Sequence, residues 1–150
     1  MSIKTIRNQI VTQLKAYSDL TTFIGGDGAD NISYGMPDVV DFEGANTKLV
    51  KVIQIEEDED WGTMGATRVN AEYDIHVVGV FFETSFAQAE DDGADFSRHI
   101  KNALTSDYTL GGTVYTLKIK RSFFRKHPDK HIHYVIIPIT CYSQVTIEGR

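Results

Sequence analysis

The run RVNAEYDIHVVGVFF, residues 68 to 82, constrains the fold more than any other part of the sequence. Apolar and polar side chains alternate along most of it, which is the pattern of a β-strand with two unlike faces. The face predicted to be buried carries Val69, Ala71, Tyr73, Ile75, Val77 and Phe81. The opposite face begins with the polar residues Asn70, Glu72, Asp74 and His76. The sequence therefore predicts a sheet with one core-facing side.

The second face of this strand becomes apolar towards its end. The apolar side chains on that face, including two from a later strand, are Val78, Val80, Phe82, Ile136 and Pro138. A large apolar face left open to water is unusual in a monomeric protein. We therefore expect either the first helix or another subunit to cover it.

Two amphipathic helices are predicted to lie on this sheet. Ser2 can cap the first helix. Its apolar stripe, at steps of three and four residues, comprises Ile3, Ile6, Ile10, Leu14 and Tyr17. Ser85 and Gln88 form a capping box for the second helix. The buried stripe of that helix comprises Ala89, Phe96, Ile100 and Leu104. A short helical turn is expected at residues 20 to 24.

The remaining strands follow from β-branched runs and turn residues. KLVKVIQI, residues 48 to 55, is a strand. EEDED, residues 56 to 60, is predicted not to pair in a sheet because its like charges repel, so it begins a long exposed hairpin arm. VYTLKIKRSFF, residues 114 to 124, is interpreted as one strand whose inward side chains are Tyr115, Leu117, Ile119 and Phe123. The last strand, from residue 132, contains Pro138, which indicates a bulge or an edge position.

The predicted order is helix, strand, strand, strand, helix, strand, strand. This order is typical of an α+β protein with a mainly antiparallel sheet, on which the two amphipathic helices pack. At 150 residues, the chain is expected to form a single α+β domain, residues 1 to 150.

Charge is distributed unevenly along the chain, whose formal net charge is −6. Residues 56 to 60 are all acidic, and a second acidic group comprises Glu83, Glu90, Asp91, Asp92 and Asp95. Six of the 15 lysines and arginines are Lys118, Lys120, Arg121, Arg125, Lys126 and Lys130. A net-acidic protein is a poor general nucleic-acid binder, although one basic segment can still act locally.

Several classes of protein are not favoured by the sequence. One cysteine, Cys141, excludes an intramolecular disulfide and a zinc site built from several thiolates. No apolar run is long enough to span a bilayer, and the first 17 residues lack a signal-peptide core, so we expect a soluble intracellular protein without membrane contact. Cys141 shares a strand face with Val135, Ile137 and Ile139, which indicates an inert core thiol. We expect neither an enzyme nor a cofactor.

Two histidines are candidate metal ligands. His131 and His133 are two residues apart, which in a strand places both rings on one face, and His76 and Asp74 could complete a site. Nearby cations disfavour a bound divalent metal, and no spacing fixes a third ligand. We therefore expect no metal ion, and interpret the histidines as part of a polar hairpin.

Two kinds of binding surface remain. The basic segment 118 to 134, with Phe124 and Tyr134, could bind a nucleic-acid strand by stacking and phosphate contacts. Alternatively, acidic and basic patches on different parts of one surface could join copies of the chain, patch to counter-patch, into a ring. The candidate contact residues for self-assembly are Glu56, Glu57, Asp58, Glu59, Asp60, Trp61, Lys120, Arg121, Arg125, Lys126 and Lys130.

The layout resembles the tail-terminator, or tail-completion, proteins of long-tailed bacteriophages. The resemblance rests on the amphipathic helix SIKTIRNQIVTQLKAY, a variable stretch into KLVKVIQI, and the long strand that leads directly into SFAQAEDDGADFSRHIKNAL. A closing hairpin then ends at HYVIIPITCYSQV. The pattern covers nearly the whole chain through topology and character, without a residue signature.

The resemblance implies a structural virion protein, assembled in the host cytoplasm and located in the viral tail. It implies a ring, usually hexameric, on the head-proximal end of the tail tube, where it stops tube polymerisation and offers a surface for head-tail joining. The implied partners are other copies of the chain, the tail tube protein and the head-tail connector protein. DNA would pass through the lumen as cargo. A neck or head-completion protein with a similar ring role is an alternative.

Overall fold

The structure, a computed structural model, describes residues 2 to 25, 28 to 35, 48 to 59 and 68 to 146. The helices are α1 (Ile3–Ala16), α2 (Ser18–Ile24) and α3 (Phe86–Thr105), with a short 3-10 turn at Gly28–Asn31. The strands are β1 (Ile32–Tyr34), β2 (Lys48–Glu59), β3 (Arg68–Phe82), β4 (Thr116–Ile119), β5 (Phe123–Lys126) and β6 (Ile132–Thr146). Ser2 and Ser85 cap α1 and α3 as predicted, each accepting a backbone N–H three residues on.

The strands form one mainly antiparallel sheet in the order β1-β2-β3-β6-β4, and β5 also pairs with β6. Only β1 and β2 are parallel among the described strands. β3 and β6 are paired over their full length, from Arg68 opposite Thr146 to Phe82 opposite Ile132. At about 3.3 Å per residue, this pair, called the central ribbon below, is about 50 Å long. The predicted α+β class is confirmed.

The helices cover one face of the sheet. The stripe of α3 is buried there together with Ile6, Ile10 and Leu14 of α1, whereas Ile3 and Tyr17 are half-buried. The β3 residues buried on the same side, which confirm the predicted face, are Ala71, Tyr73, Ile75, Val77 and Phe81, and the side chain of Val69 lies outside the described ones. Gly79 makes close packing possible, since a Cβ at this position would lie 3.1 Å from the ring of Phe96 on α3. Within the described residues, no helix has the length and apolar character needed to cross a membrane.

The expectation that the first helix covers the second sheet face is wrong, whereas cover by another subunit stays a prediction, since Phe82, Ile136 and Pro138 on that face are only half-buried. α1 lies on the opposite face, and Leu49, Val78, Val80 and Ile132 are already buried within the single chain. Val80 has no exposed surface at all. These four side chains therefore supply no open area for an interface.

Residues 114 to 124 form two strands, where one was expected. β4 pairs with β6 up to Ile119, and β5 resumes at Phe123 opposite Ile136. Pro138 lies opposite the interruption, where its carbonyl accepts the N–H of Lys120 at 2.8 Å. Proline has no N–H to donate to a neighbouring strand, which explains the break. The predicted edge position is wrong, because β6 lies between β3 and β4, and its pairing with β3 continues through Pro138 without a register shift, so no bulge is found there. Tyr115 was predicted to point inward but is 64% exposed, because it precedes β4 at the sheet edge.

The prediction that the acidic run does not pair is wrong for residues 56 to 59. β2 continues through them, and they pair with residues 71 to 74 of β3 after a register shift between Gln54 and Glu56. Two of the resulting pairs bring like charges opposite each other: Glu56 faces Asp74, and Asp58 faces Glu72. These carboxylates lie at the surface, where water weakens their repulsion and backbone pairing prevails.

Candidate interaction surfaces

Two charged surfaces lie in different halves of the central ribbon. The acidic arm, defined as residues 56 to 59 of β2 with residues 71 to 74 of β3, is near the end of β6. The basic hairpin, defined as residues 123 to 134, contains the turn that leads into the beginning of β6. Along the ribbon, the middle of the rows paired with the acidic arm lies about seven residues, or about 23 Å, from the middle of the rows paired with β5.

The acidic arm contains charges that no described side chain neutralises. Glu56, Glu57 and Asp58 are exposed, and no ion pair to them is formed within the described ranges. Asp74 differs, because Thr140 donates a hydrogen bond to it at 2.7 Å and the Lys120 ammonium lies 3.7 Å away. Like charges opposite each other destabilise a strand pair. The outer part of the arm thus carries an electrostatic cost in the isolated chain.

Tyr73 anchors the acidic arm on the helix-covered face. Its ring is fully buried, and its hydroxyl donates a hydrogen bond to Glu59 at 3.0 Å. Burial raises the pKa of this phenol, and so do the hydrogen bond to Glu59 and the charges of Glu59 and Glu57. The phenol consequently remains a donor for the arm under ordinary conditions.

The cations of the basic hairpin are held in place by neutral groups. The Arg125 guanidinium lies 4.8 Å from the centre of the Phe123 ring and donates to the Phe124 carbonyl at 2.9 Å. The Lys126 ammonium donates to the carbonyls of His127 and Lys130, at 3.1 Å each. These contacts fix the side chains without neutralising their charge, which remains available to a partner.

A groove lies between the basic hairpin and the beginning of α3. Its volume is about 730 Å³, and its wall includes two aromatic side chains that are 70% and 54% exposed, Phe86 and Phe124. Arg125 and Lys126 lie on the hairpin side of the groove, and Glu90 lies on the helix side. A Cβ at Gly93 of α3 would be 3.4 Å from the Phe124 ring, an ordinary van der Waals distance, so the hairpin packs against the helix at this position.

The basic segment identified in the sequence is divided in the structure. Lys120 lies in mid-sheet beside Asp74, and Arg121 is exposed in the break between β4 and β5. Arg125, Lys126 and Lys130 lie at the hairpin. This division does not favour one continuous basic surface for a nucleic-acid strand. Asp60 and Trp61, which were also predicted as contact residues, lie outside the described residues.

The histidines do not share a strand face as expected. The His133 ring stacks on Phe81 at 5.3 Å between centres and contacts the Glu83 carbonyl at 3.0 Å, whereas the His131 ring meets the edge of Phe82. His131 precedes β6, so the alternation of the strand does not apply to it. Within the described residues, no three His, Cys, Asp or Glu side chains form a group suited to a metal ion.

Two further titratable side chains lie on the central ribbon. Burial lowers the pKa of His76 and, with the Lys120 charge, outweighs the opposing effect of Asp74. Cys141 is fully buried, and burial followed by the charge of Asp74 raises its pKa to about 12. The prediction of a core thiol is confirmed.

Comparison with solved structures finds a similar fold in a chain of a virion. No family model matches the sequence, and no curated protein matches it significantly. Among solved structures, the chain is similar to a chain of the structure described as "Virion of native gene transfer agent (GTA) particle". The TM-score is 0.59 at 13% sequence identity, with 93% of this chain and 94% of that chain covered. At this identity the likeness shows a shared fold.

Proposed function

We propose that this chain is a structural protein of a tailed virion that forms a ring on the head-proximal end of the tail tube. The ring stops tube polymerisation and offers the surface to which the head connector joins. The observation that carries the proposal is the fold match to a virion chain over 93% of this chain and 94% of that one. The resemblance of the sequence layout to tail terminators supports the specific role.

The two ends of the central ribbon provide a physical route to a ring. A surface that binds a different surface on the next copy makes a heterologous contact, and such contacts close into a ring when the rotation between copies permits it. The acidic arm and the basic hairpin are complementary and too far apart to meet within one chain. The hexameric number follows from the resemblance alone.

The same role accounts for the acidic character of the protein. DNA that leaves the capsid must pass through the ring without adhering to it, and exposed carboxylates repel phosphates at short range. The net charge of −6 suits such a passage, with DNA as passing cargo. Assembly in the host cytoplasm with the tube protein and the connector protein, followed by residence in the virion, requires no catalysis.

Electron microscopy of the particles encoded by the same genome tests the proposal. Gold-conjugated antibodies against the chain are expected to label one place, the junction between capsid and tail. Removal of the gene is expected to give tails of unregulated length and unjoined heads. Label along the tube or at its distal tip, or no label on particles, would contradict the proposal.

The removal experiment also separates the tail terminator from a neck or head-completion protein. Loss of a neck protein leaves tails of normal length that fail to join heads, whereas loss of a terminator changes tube length. A nucleic-acid-associated module using the basic hairpin would instead leave both assembly steps intact and reduce DNA retention.

A further inference from the structure

The groove between the basic hairpin and α3 has the character of a receptor. Phe86 and Phe124 place two exposed aromatic rings in one groove, and an exposed apolar patch rimmed by polar residues is typical of an interaction site. Arg125 and Lys126 add positive charge along one side only, while Glu90 makes the other side negative. An acidic segment with an apolar side chain would fit the groove in one orientation, with its carboxylates against the hairpin.

The acidic arm has the complementary features. Ile55, at the register shift of β2, is 49% exposed, and the exposed carboxylates of Glu56 and Asp58 follow it directly. Within four residues, the arm combines an apolar side chain with carboxylates that pair with no cation in the described part of the chain. Six residues, or about 20 Å of strand, separate the row of Glu56 from the row of Arg125, so the arm that enters a groove must belong to another copy.

We infer that the groove receives the acidic arm of a second copy of this chain. Ile55 of one copy enters between Phe86 and Phe124 of the next. Glu56 and Asp58 then lie against Arg125 and Lys126. This inference rests on the proposed self-assembly and specifies its contact. Two arms cannot bind each other because their like charges repel, so the contact is directional and every copy uses one arm and one groove.

A charge exchange between the two surfaces tests this contact. One variant carries Glu56→Lys and Asp58→Lys, and the other carries Arg125→Glu and Lys126→Glu. Each variant alone is expected to self-associate at least about tenfold more weakly than the original chain, because every contact then joins like charges. In an equimolar mixture, each arm meets a groove of opposite charge, and assembly is expected to return.

The association is measured by sedimentation velocity and native mass spectrometry at low ionic strength, with and without isolated tail tubes. A second test uses Phe86→Ala, which is expected to weaken association about tenfold. Its matched control is Tyr108→Ala, which removes an aromatic ring of 53% exposure at the other end of α3 and is expected to have no effect.

The outcomes separate this inference from the proposed function. Restored assembly in the mixture, together with loss in Phe86→Ala alone, supports the contact. A mixture that stays unassembled both with and without tubes overturns it, as does an original chain that never self-associates. Gold label at the capsid-tail junction would in those cases leave the virion role intact and require a different contact between copies.

Discussion

The two ends of the central ribbon are built from the same pair of strands and are stabilised in different ways. At the basic end, Phe81 is buried beneath α3, and the hairpin cations are fixed by an aromatic ring and backbone carbonyls. At the acidic end, Tyr73 donates one hydrogen bond to the arm, and like charges face each other across two strand pairs. One end is a preformed receptor, and the other is a segment under electrostatic strain.

In the proposed assembly, this difference makes the contact between two copies directional, with the arm of one copy on the groove of the next. The groove is shaped by contacts within one chain, so in the proposed assembly a partner has fewer side chains to order when it binds. The arm repels a second arm, so it selects a groove instead. The carboxylates that weaken the free arm are therefore the groups that a cationic partner would stabilise.

The largest change in unfolding free energy is expected from substitutions of the two residues that stabilise the two ends, Phe81 and Tyr73. Phe81→Ala removes a buried ring at the basic end and is expected to cost about 3–5 kcal/mol of unfolding free energy. Tyr73→Phe removes the hydroxyl that bonds Glu59 and is expected to cost only about 1 kcal/mol. Urea unfolding measures both values. Equal losses at the two positions would mean that the ends are stabilised alike.

A smaller change, an increase in the free energy of unfolding, is expected from substitutions in the acidic arm. The double variant Glu56→Gln and Asp58→Asn removes two like-charge pairs and is expected to stabilise the free chain by about 0.5–1 kcal/mol. Lys126→Gln at the basic hairpin is the matched control, and no such gain is expected because its ammonium lies beside carbonyls. Urea midpoints at low and high salt test this, since screening should shrink the gain. A lower urea midpoint for the arm variant than for the original chain would show that the facing carboxylates do not destabilise the arm.

Local patterns predicted most of the fold. The alternation of residues 71 to 81, the spacing of the apolar residues in α1 and α3, and the N-caps Ser2 and Ser85 each depend on nearby residues, and each is confirmed. The full length of β2 was not predicted. The prediction counted the repulsion between neighbouring carboxylates but left out the backbone hydrogen bonds of the strand pair and the surface water, which together outweigh that repulsion. The division of β4 from β5 depends on Pro138, eighteen residues beyond Lys120.

The candidate site was only partly visible in the sequence. Charge runs identified the acidic arm and the basic hairpin, but they also grouped Lys120 with the hairpin, although it pairs with Asp74 on the sheet. The groove was missed altogether, because it forms where α3 and β5 meet through Gly93 and Phe124. A sequence signal did exist: Phe86 lies off the buried stripe of α3, and an aromatic residue there indicates a contact surface.

Mixing two one-sided variants tests the central claim, that opposite ends of identical chains bind each other, most directly. One variant has a neutral arm, through Glu56→Gln and Asp58→Asn, and the other has a neutral groove, through Arg125→Gln and Lys126→Gln. Native mass spectrometry under conditions where the original chain assembles is expected to show each variant alone as a monomer. The mixture is expected to give one-to-one dimers and nothing larger, since only one functional arm and one functional groove remain. Rings from either variant alone, or a mixture without dimers, would contradict the claim.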